Sequence, residues 1–306
     1  MSYNFKNLVF EGGGIKGFSY CGVIKELESK NMLKNFNKFA GTSSGSIFAS
    51  LLAAEFTADE ILEIQNLELN IFKFSSYFFS FYNLWFNYGL FSTKQIEIKF
   101  RKFLSKRVNP DITLKELFNK TGNELVIVSC CINRKSAIYF HHKTFPNVKL
   151  IDAIISSISI PIFFKPKISN YFGTEDNYID GGVVDNYPIW IFNDIQKLYE
   201  NKIIEIDKKQ LSNETLGIKT LTKNESNTFL VNNKRESIKN IFKLISDIIE
   251  TLILQIERSD ISSEYIEQTI AVKEDNISSI NFGISKEDIT SLIKAGQNAV
   301  KNYFVK

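Results

Sequence analysis

Two apolar runs, each followed by a glycine-rich turn and a helical pattern, open the chain and constrain its fold more than any other feature. After the first turn, Tyr20, Val23 and Leu27 recur at offsets near 3.6 residues, as on one face of a helix. In order, the elements are strand Asn7–Glu11, glycine loop 12–17, helix Phe18–Ser29, strand Phe36–Ala40, turn 41–45 and helix Ser44–Glu55. Strands that alternate with helices in this way form parallel sheets covered by helices.

The rest of the chain continues this alternation less regularly. It predicts a helix over Ala58–Leu69, a hairpin of Glu124–Ile132 with Ser136–His141, a helix over Leu150–Ser157 and a strand at Tyr178–Ile179. The polar composition of about 202–233 indicates a surface excursion, and helical periodicity returns over 237–259 and 286–304. We therefore expect a single α/β domain over 1–306, with its motifs in about 6–190 and a mostly parallel central sheet with helices on both faces.

Composition argues against several classes of protein. The 306 residues carry 37 basic and 34 acidic side chains, a net charge of +3, whereas nucleic-acid-binding proteins concentrate basic charge on one face. Three cysteines do not form a disulfide framework, and the run Met1–Phe10 lacks the basic and apolar regions of a secretory signal. No run of about twenty apolar residues occurs, so a transmembrane helix is not expected. The sequence predicts a cytoplasmic protein without nucleic acid as a partner.

The turn Gly41-Thr42-Ser43-Ser44-Gly45 fits the pattern G-x-S-x-G between a strand and a helix. In that context a sharp turn pushes the serine hydroxyl outward, and small flanking residues let the backbone bend. The helix that follows directs its free amides and the positive end of its dipole at negative charge that develops nearby. Because glycine and serine are common in turns, an ordinary capped turn remains an alternative on this motif alone.

The glycine loop at 12–17 directs several backbone amides toward one point, which suits a phosphate or an oxyanion. Three of its glycines also satisfy G-x-G-x-x-G, the dinucleotide-binding pattern. That alternative requires an acidic residue at the end of the second strand, and the run Asn31–Lys38 contains none. The phosphate-loop pattern also fails, because Phe18 rather than lysine follows Gly17.

An aspartate followed by two glycines, Asp180-Gly181-Gly182, comes directly after an apolar strand. The glycines would let the carboxylate approach another loop, although in isolation an ordinary Asp-Gly turn is the favoured explanation of the triplet. The rival carboxylates are Asp152, Asp176 and Asp185. The only histidines, His141 and His142, are neighbours on a predicted strand, so at most one of them can face a site.

Taken in order, these motifs resemble those of the patatin-like phospholipases. The matching segments are Val9–Gly17 with basic Lys16, Phe39–Ser46 at the nucleophile elbow, Ser156–Phe163 with Pro161, Asp180–Pro188 in the aspartate loop, and the regions Glu214–Gly217 and Ile270–Phe304. The resemblance covers nearly the whole chain, and several motifs in the right order are far more specific than any one of them.

The resemblance implies a patatin-like fold and a lipid acyl hydrolase of the phospholipase A or lysophospholipase type. Ser43 would be the nucleophile and Asp180 its base, with the oxyanion bound by the amides of Gly13, Gly14 and Ser44. Residues that support the motifs are Gly12, Lys16, Gly17, Gly41, Gly45, Gly181 and Gly182. The substrate would be a phospholipid or another lipid ester, and neither a cofactor nor a metal is implied.

Aromatic residues crowd the segment 72–91, which predicts either a buried helical cover or a surface that contacts lipid at the membrane. The basic residues that follow are Arg101, Lys102, Lys106 and Arg107. They suit either anionic headgroups or a solvated helix face.

Two other functions stay open at this point. One is an esterase or thioesterase that acts on soluble acyl groups. The other is a catalytically silent module that binds lipid or protein on the same fold, although the presence of both Ser43 and Asp180 argues against it.

Overall fold

A computed structural model describes residues 4–66, 84, 86–193, 195, 212–221, 248, 251, 267–273, 277 and 283–305. Its strands are β1 Asn7–Phe10, β2 Lys38–Thr42, β3 Gly89–Phe91, β4 Glu124–Cys131, β5 Ser136–Phe140, β6 Ile162–Phe164, β7 Lys167–Ser169, β8 Asp176–Asp180, β9 Thr215–Leu221 and β10 Thr269–Lys273. Its α-helices are α1 Phe18–Ser29, α2 Ser44–Ala53, α3 Ala58–Leu62, α4 Lys94–Leu104, α5 Leu114–Thr121, α6 Leu150–Ser157 and α7 Lys286–Phe304. Short 3-10 turns cover Gly14–Gly17, Leu33–Asn35, Glu63–Asn66 and Gly181–Val183.

The central sheet has the strand order β10-β9-β1-β2-β4-β8-β7, with β5 paired to β4 as well. The pairs from β10 to β4 along this order are parallel, whereas β5, β7 and β8 join in antiparallel pairs. Strands β3 and β6 form a separate parallel pair. This is the α/β class that the sequence predicts, with a mostly parallel central sheet.

Strand β4 brings two distant parts of the chain together because two strands share one of its edges. Residues 127–128 pair with both β2 and β5, and residues 129–131 pair with both β5 and β8. Since β5 occupies one edge, β2 and β8 lie end to end along the other. Strand β2 runs parallel to β4 and ends opposite Val128, whereas β8 runs antiparallel and ends opposite Ser129. The carboxyl ends of β2 and β8 therefore meet.

The sheet buries apolar side chains on both faces, as parallel sheets usually do. One face, which includes Leu8 and Ile127, belongs to the main core together with residues of α1, α2 and α6. The opposite face, with Val9 and Val126, packs against apolar residues of 187–192 and against Ile195. No helix among the described residues combines the length and the apolar character that crossing a bilayer requires.

The range 202–233, predicted to be a polar surface excursion, contains a buried strand in its described part. This strand, β9, lies between β1 and β10 in the sheet. Its polar side chains find partners inside the protein: Lys219 forms a buried ion pair with Glu11, and Thr215 accepts a hydrogen bond from Asn7. The prediction was wrong for this strand because composition averaged over a long polar range does not reveal paired polar groups.

Other predicted elements differ in their ends. The second strand is Lys38–Thr42 and so begins two residues later than predicted and runs directly into Ser43. The helix predicted to reach Leu69 ends at Leu62 and continues as the 3-10 turn Glu63–Asn66. The last helix has the predicted bounds, and Ser285 and Asp288 form its capping box. The predicted helix over 237–259 and most of the aromatic segment 72–91 lie outside the described residues.

Candidate active site

Ser43 lies in the turn between β2 and α2, where its backbone has φ 52° and ψ −127°. Positive φ is unfavourable for a residue that carries a Cβ, so the surrounding structure must hold this conformation. The Ser43 amide donates to Ser157 Oγ at 3.0 Å, and Ser46 Oγ donates to the Ser43 carbonyl at 2.6 Å. These two hydrogen bonds fix the turn on both sides of the strained residue.

The two glycines of the turn allow α2 to begin very close to the sheet. A Cβ on Gly41 would lie 2.4 Å from the Gly45 carbonyl oxygen, and a Cβ on Gly45 would lie 2.5 Å from the Glu11 carbonyl oxygen. Any larger residue would therefore push the helix away from β2 and from the glycine loop. This is the sharp strand-to-helix turn that the G-x-S-x-G pattern predicts.

Asp180 faces Ser43 from the end of β8. Ser43 Oγ donates to Asp180 Oδ2 at 2.6 Å, and the Gly182 amide donates to Asp180 Oδ1 at 2.8 Å. A Cβ on Gly181 would lie 2.5 Å from the Val128 carbonyl oxygen, so glycine is what lets the aspartate loop press against β4. Burial raises the pKa of Asp180 to about 6, against the opposing effect of the hydrogen bonds from Ser43 and Gly182.

The glycine loop passes beside the turn, and two of its amides already have acceptors. The Gly12 amide donates to the Asn186 carbonyl at 2.9 Å, and the Asn186 side chain donates back to the Gly12 carbonyl at 2.9 Å. The Gly13 amide donates to Ser44 Oγ at 3.0 Å. The Gly14 and Ser44 amides make no hydrogen bond within the part of the chain that the structure describes. Both amides are therefore available to an anion beside Ser43.

Lys16 and Gly17 complete the loop in the 3-10 turn Gly14–Gly17. Lys16 is buried and forms no ion pair with any described residue. A Cβ on Gly17 would lie 2.8 Å from both Cβ and Oγ of Ser44, so this glycine lets the loop approach the helix start.

A cavity of about 90 Å³ lies beside Ser43. Apart from the hydroxyls of Ser43 and Ser44, the side chains that line it are apolar. They include Ile47, Phe48, Ile96, Phe100, Ile158 and Phe164. An apolar cavity next to a serine suits a hydrocarbon chain whose polar end reaches the hydroxyl.

The rival carboxylates have other partners. Asp152 pairs with Lys167, Asp176 pairs with Arg134, and Asp185 accepts hydrogen bonds from Tyr139 and Trp190. Within the described ranges, no group of three His, Cys, Asp or Glu side chains is arranged to hold a metal ion.

The two histidines lie near the opposite end of the strands from Ser43. His141 is fully buried with Nε2 3.7 Å from Glu124 Oε2, and Glu124 pairs with Lys38 at the start of β2. His142 stacks on Phe118 with ring centroids 3.8 Å apart. Neither imidazole lies at the serine, whereas the carboxylate of Asp180 accepts a hydrogen bond from its hydroxyl.

The sequence analysis assigned no role to two residues at the site. Ser157, at the end of α6, accepts from the Ser43 amide and donates to the Val128 carbonyl at 2.6 Å. Asn186 ties the aspartate loop to the glycine loop. Both lie within segments that carry the family resemblance, but their roles depend on contacts between residues far apart in the sequence.

The fold and the site together define an α/β protein with a strand-to-helix serine hydrogen-bonded to an aspartate of a glycine-rich loop. Residues 8–193 match the family model described as patatin-like phospholipase. Because this match spans more than half of the chain, the protein belongs to the patatin-like phospholipase family.

Relatives in several organisms are consistent with this assignment. The chain is 28% identical over 305 residues to the uncharacterized protein R571 of Acanthamoeba polyphaga mimivirus, covering 98% of this chain and 94% of that protein. It is 34% identical over 208 residues to the probable lipid hydrolase 463L of Invertebrate iridescent virus 6, covering 65% of each. The crystal structure of VipD from Legionella pneumophila has a TM-score of 0.57 at 16% identity, covering 98% of this chain and 66% of that one. The structural likeness supports the fold alone.

Proposed function

We propose that the protein is a lipid acyl hydrolase of the phospholipase A or lysophospholipase type that uses Ser43 and Asp180 as a catalytic dyad. The observation that carries this proposal is the 2.6 Å hydrogen bond from Ser43 Oγ to Asp180 Oδ2, made at a strained turn that opens on an apolar cavity. An activated nucleophile needs a base within hydrogen-bond reach and a third group that orients the base. The Gly182 amide orients this carboxylate.

The reaction proceeds in two steps. Asp180 accepts the Ser43 proton as Oγ attacks the ester carbonyl carbon, and the resulting tetrahedral intermediate expels the alcohol, which takes the proton back. Water then attacks the acyl-serine, again with Asp180 as base, and releases the fatty acid. A carboxylate is a weaker base than imidazole, and burial compensates because it raises the pKa of Asp180 to about 6, closer to neutral pH.

The intermediate carries its negative charge beside the start of α2 and the glycine loop. The Ser44 and Gly14 amides, which have no other acceptor among the described residues, donate to this oxyanion. The Gly13 amide becomes a third donor when the Ser44 hydroxyl rotates away from it. Each donor contributes about 3 kcal/mol to the transition state. Lys16, buried and without an acidic partner in the described chain, steadies the loop or meets an anionic headgroup.

The apolar cavity favours a long acyl chain over a short soluble one. A hydrolase of soluble acetyl-type esters has no use for a cavity lined by isoleucine and phenylalanine next to its nucleophile. Burial of each methylene stabilises a bound chain by about 0.8 kcal/mol, so the specificity constant for p-nitrophenyl esters should rise with acyl length. A preference for acetyl esters would favour the soluble esterase instead.

The decisive experiment uses a fluorophosphonate probe and peptide mapping. We expect a single adduct on Ser43, loss of labelling in Ser43→Ala, and slow labelling in Asp180→Asn. Ser44→Ala is the matched control, because it removes the neighbouring hydroxyl and should still be labelled at Ser43. A protein that binds lipid vesicles but reacts with no probe would be the silent module, and an adduct on any other serine would overturn the dyad.

A further inference from the structure

Helix α4 borders the cavity and has two distinct faces. Ile96 and Phe100 line the cavity on its inner face. On the outer face, Lys94, Ile98 and Lys102 are exposed at intervals of four residues, which places them in one stripe. The outer stripe is basic at both ends and apolar in the middle.

Among the described residues, no carboxylate pairs with the lysines of this stripe, whereas the basic residues around them do have acidic partners. Arg101 pairs with Glu97 and Asp111, Lys106 pairs with Glu63, and Arg107 pairs with Glu60. Lys94, Lys99 and Lys102 form no ion pair with a described residue. Of the basic residues that the sequence grouped together, Lys102 is therefore the one that has no ion pair among the described residues.

Exposed apolar side chains precede the helix. Phe86 is 63% exposed and Tyr88 is 65% exposed, whereas Ile98 is 50% exposed. The two aromatic residues lead directly into β3, which pairs with β6, and Phe164 of β6 lines the same cavity. Aromatic and aliphatic side chains together with lysine are the combination that suits the headgroup region of an anionic bilayer.

We propose that Phe86, Tyr88, Lys94, Ile98 and Lys102 form a docking face for an anionic lipid bilayer. The proposal rests on the proposed function, since its purpose is to bring lipid to Ser43. Because a helix with its side chains is about 10–12 Å wide, a bilayer on the outer face of α4 lies one helix diameter from the cavity. The lysines attract anionic headgroups, and the three apolar side chains enter the interface between headgroups and acyl chains.

The electrostatic part is tested by sedimentation with phosphatidylcholine vesicles that contain either no or about 30% phosphatidylserine. Reversal of charge in Lys94→Glu/Lys102→Glu should lower the partition coefficient on the anionic vesicles at least about 30-fold. The matched control is Lys286→Glu/Lys294→Glu, which makes the same change at the same spacing on exposed positions of α7 and should retain most of the binding. Equal losses in both double variants would overturn a specific face, because net charge alone would then explain them.

The apolar part is tested by a second matched pair. Ile98→Ser should weaken binding several-fold, whereas Ile168→Ser, which alters an isoleucine of similar exposure on edge strand β7, should not. Hydrolysis of a soluble p-nitrophenyl ester should be unchanged in all these variants, which separates docking from chemistry. Ser43→Ala should bind vesicles normally, so failure of the hydrolase proposal and failure of the docking face give different results. Parent-like vesicle binding by both α4 variants would refute the proposal.

Discussion

The backbone amide of Ser43 donates to the hydroxyl of Ser157, a residue 114 positions away in the sequence. The same hydroxyl donates to the Val128 carbonyl of β4. Ser157 thus links the strained turn, the end of α6 and the strand that carries both halves of the site. This link holds Ser43 at a positive φ that an isolated serine would rarely adopt.

Removing this link should destabilise the turn. Ser157→Ala leaves the buried Ser43 amide without its acceptor, which costs about 1–3 kcal/mol of unfolding free energy. We expect a lower Tm and a kcat reduced at least tenfold, because the nucleophile is no longer fixed in place. Ser156→Ala is the control, since that hydroxyl donates to the Asp152 carbonyl within its own helix. If the two variants behave alike, Ser157 does not position the turn.

Asp180→Asn should abolish activity and stabilise the fold at the same time. The pKa of Asp180 is raised to about 6 in the folded protein from 3.8, so the folded state binds this proton more tightly than the unfolded chain does. Stability is therefore lost as the pH rises from about 4 through 6, by up to about 3 kcal/mol. The asparagine amide carries no charge at any of these pH values. The variant should therefore have a higher unfolding free energy than the parent above pH 7, and nearly the same one at pH 4.

Chemical denaturation of both proteins across this pH range measures the effect. A denaturation midpoint for Asp180→Asn below that of the parent at pH 8 would show that the buried carboxylate stabilises the fold.

The pH dependence of kcat/KM should have a single rise near pH 6 on an uncharged ester. Asp180 acts as a base only when ionised, and its pKa is about 6. An inflection at this pH is usually assigned to histidine, but burial lowers the pKa of His141 and lowers that of His142 to about 4. His141→Ala and His142→Ala should keep the inflection and most of the activity, measured below the Tm of each variant. A histidine variant as inactive as Ser43→Ala would exclude the dyad.

Neighbouring glycines of the loop should respond differently to alanine. Gly14 has φ 53°, so Gly14→Ala strains the loop and displaces an amide proposed to bind the oxyanion. We expect kcat to fall about 100-fold with a smaller change in KM. A Cβ on Gly13 would lie 3.2 Å from Thr220 Oγ1, which has only to move slightly, so Gly13→Ala should lose no more than several-fold. Similar kcat values for the two variants would argue against an oxyanion role for the Gly14 amide.

The sequence was sufficient to predict the α/β class, the strand-to-helix turn at Ser43 and the pairing of Ser43 with Asp180. Each depends on a local pattern or on the order of motifs that resemble one family. Strand β9 could not be predicted, because Lys219 is acceptable in a buried strand only through its ion pair with Glu11. The role of Ser157 was also hidden, since a serine at the end of an apolar helix gives no indication of a distant partner. Pairing between remote residues is decided by tertiary packing, which a local pattern does not contain.

Strands β2 and β8 share one edge of β4, and this arrangement affects when Ser43 and Asp180 can meet. Ser43 and Asp180 are 137 positions apart in the sequence. The strands that precede them, β2 and β8, each pair with β4 and not with one another. During synthesis, the serine turn and β4 are therefore complete well before Asp180 is added to the chain. If Asp180 is the base, as proposed, a nascent or truncated chain that ends before this residue should release no fatty acid from lipid. Ser43 and Asp180 can meet only after β8 has paired with the remaining part of this edge.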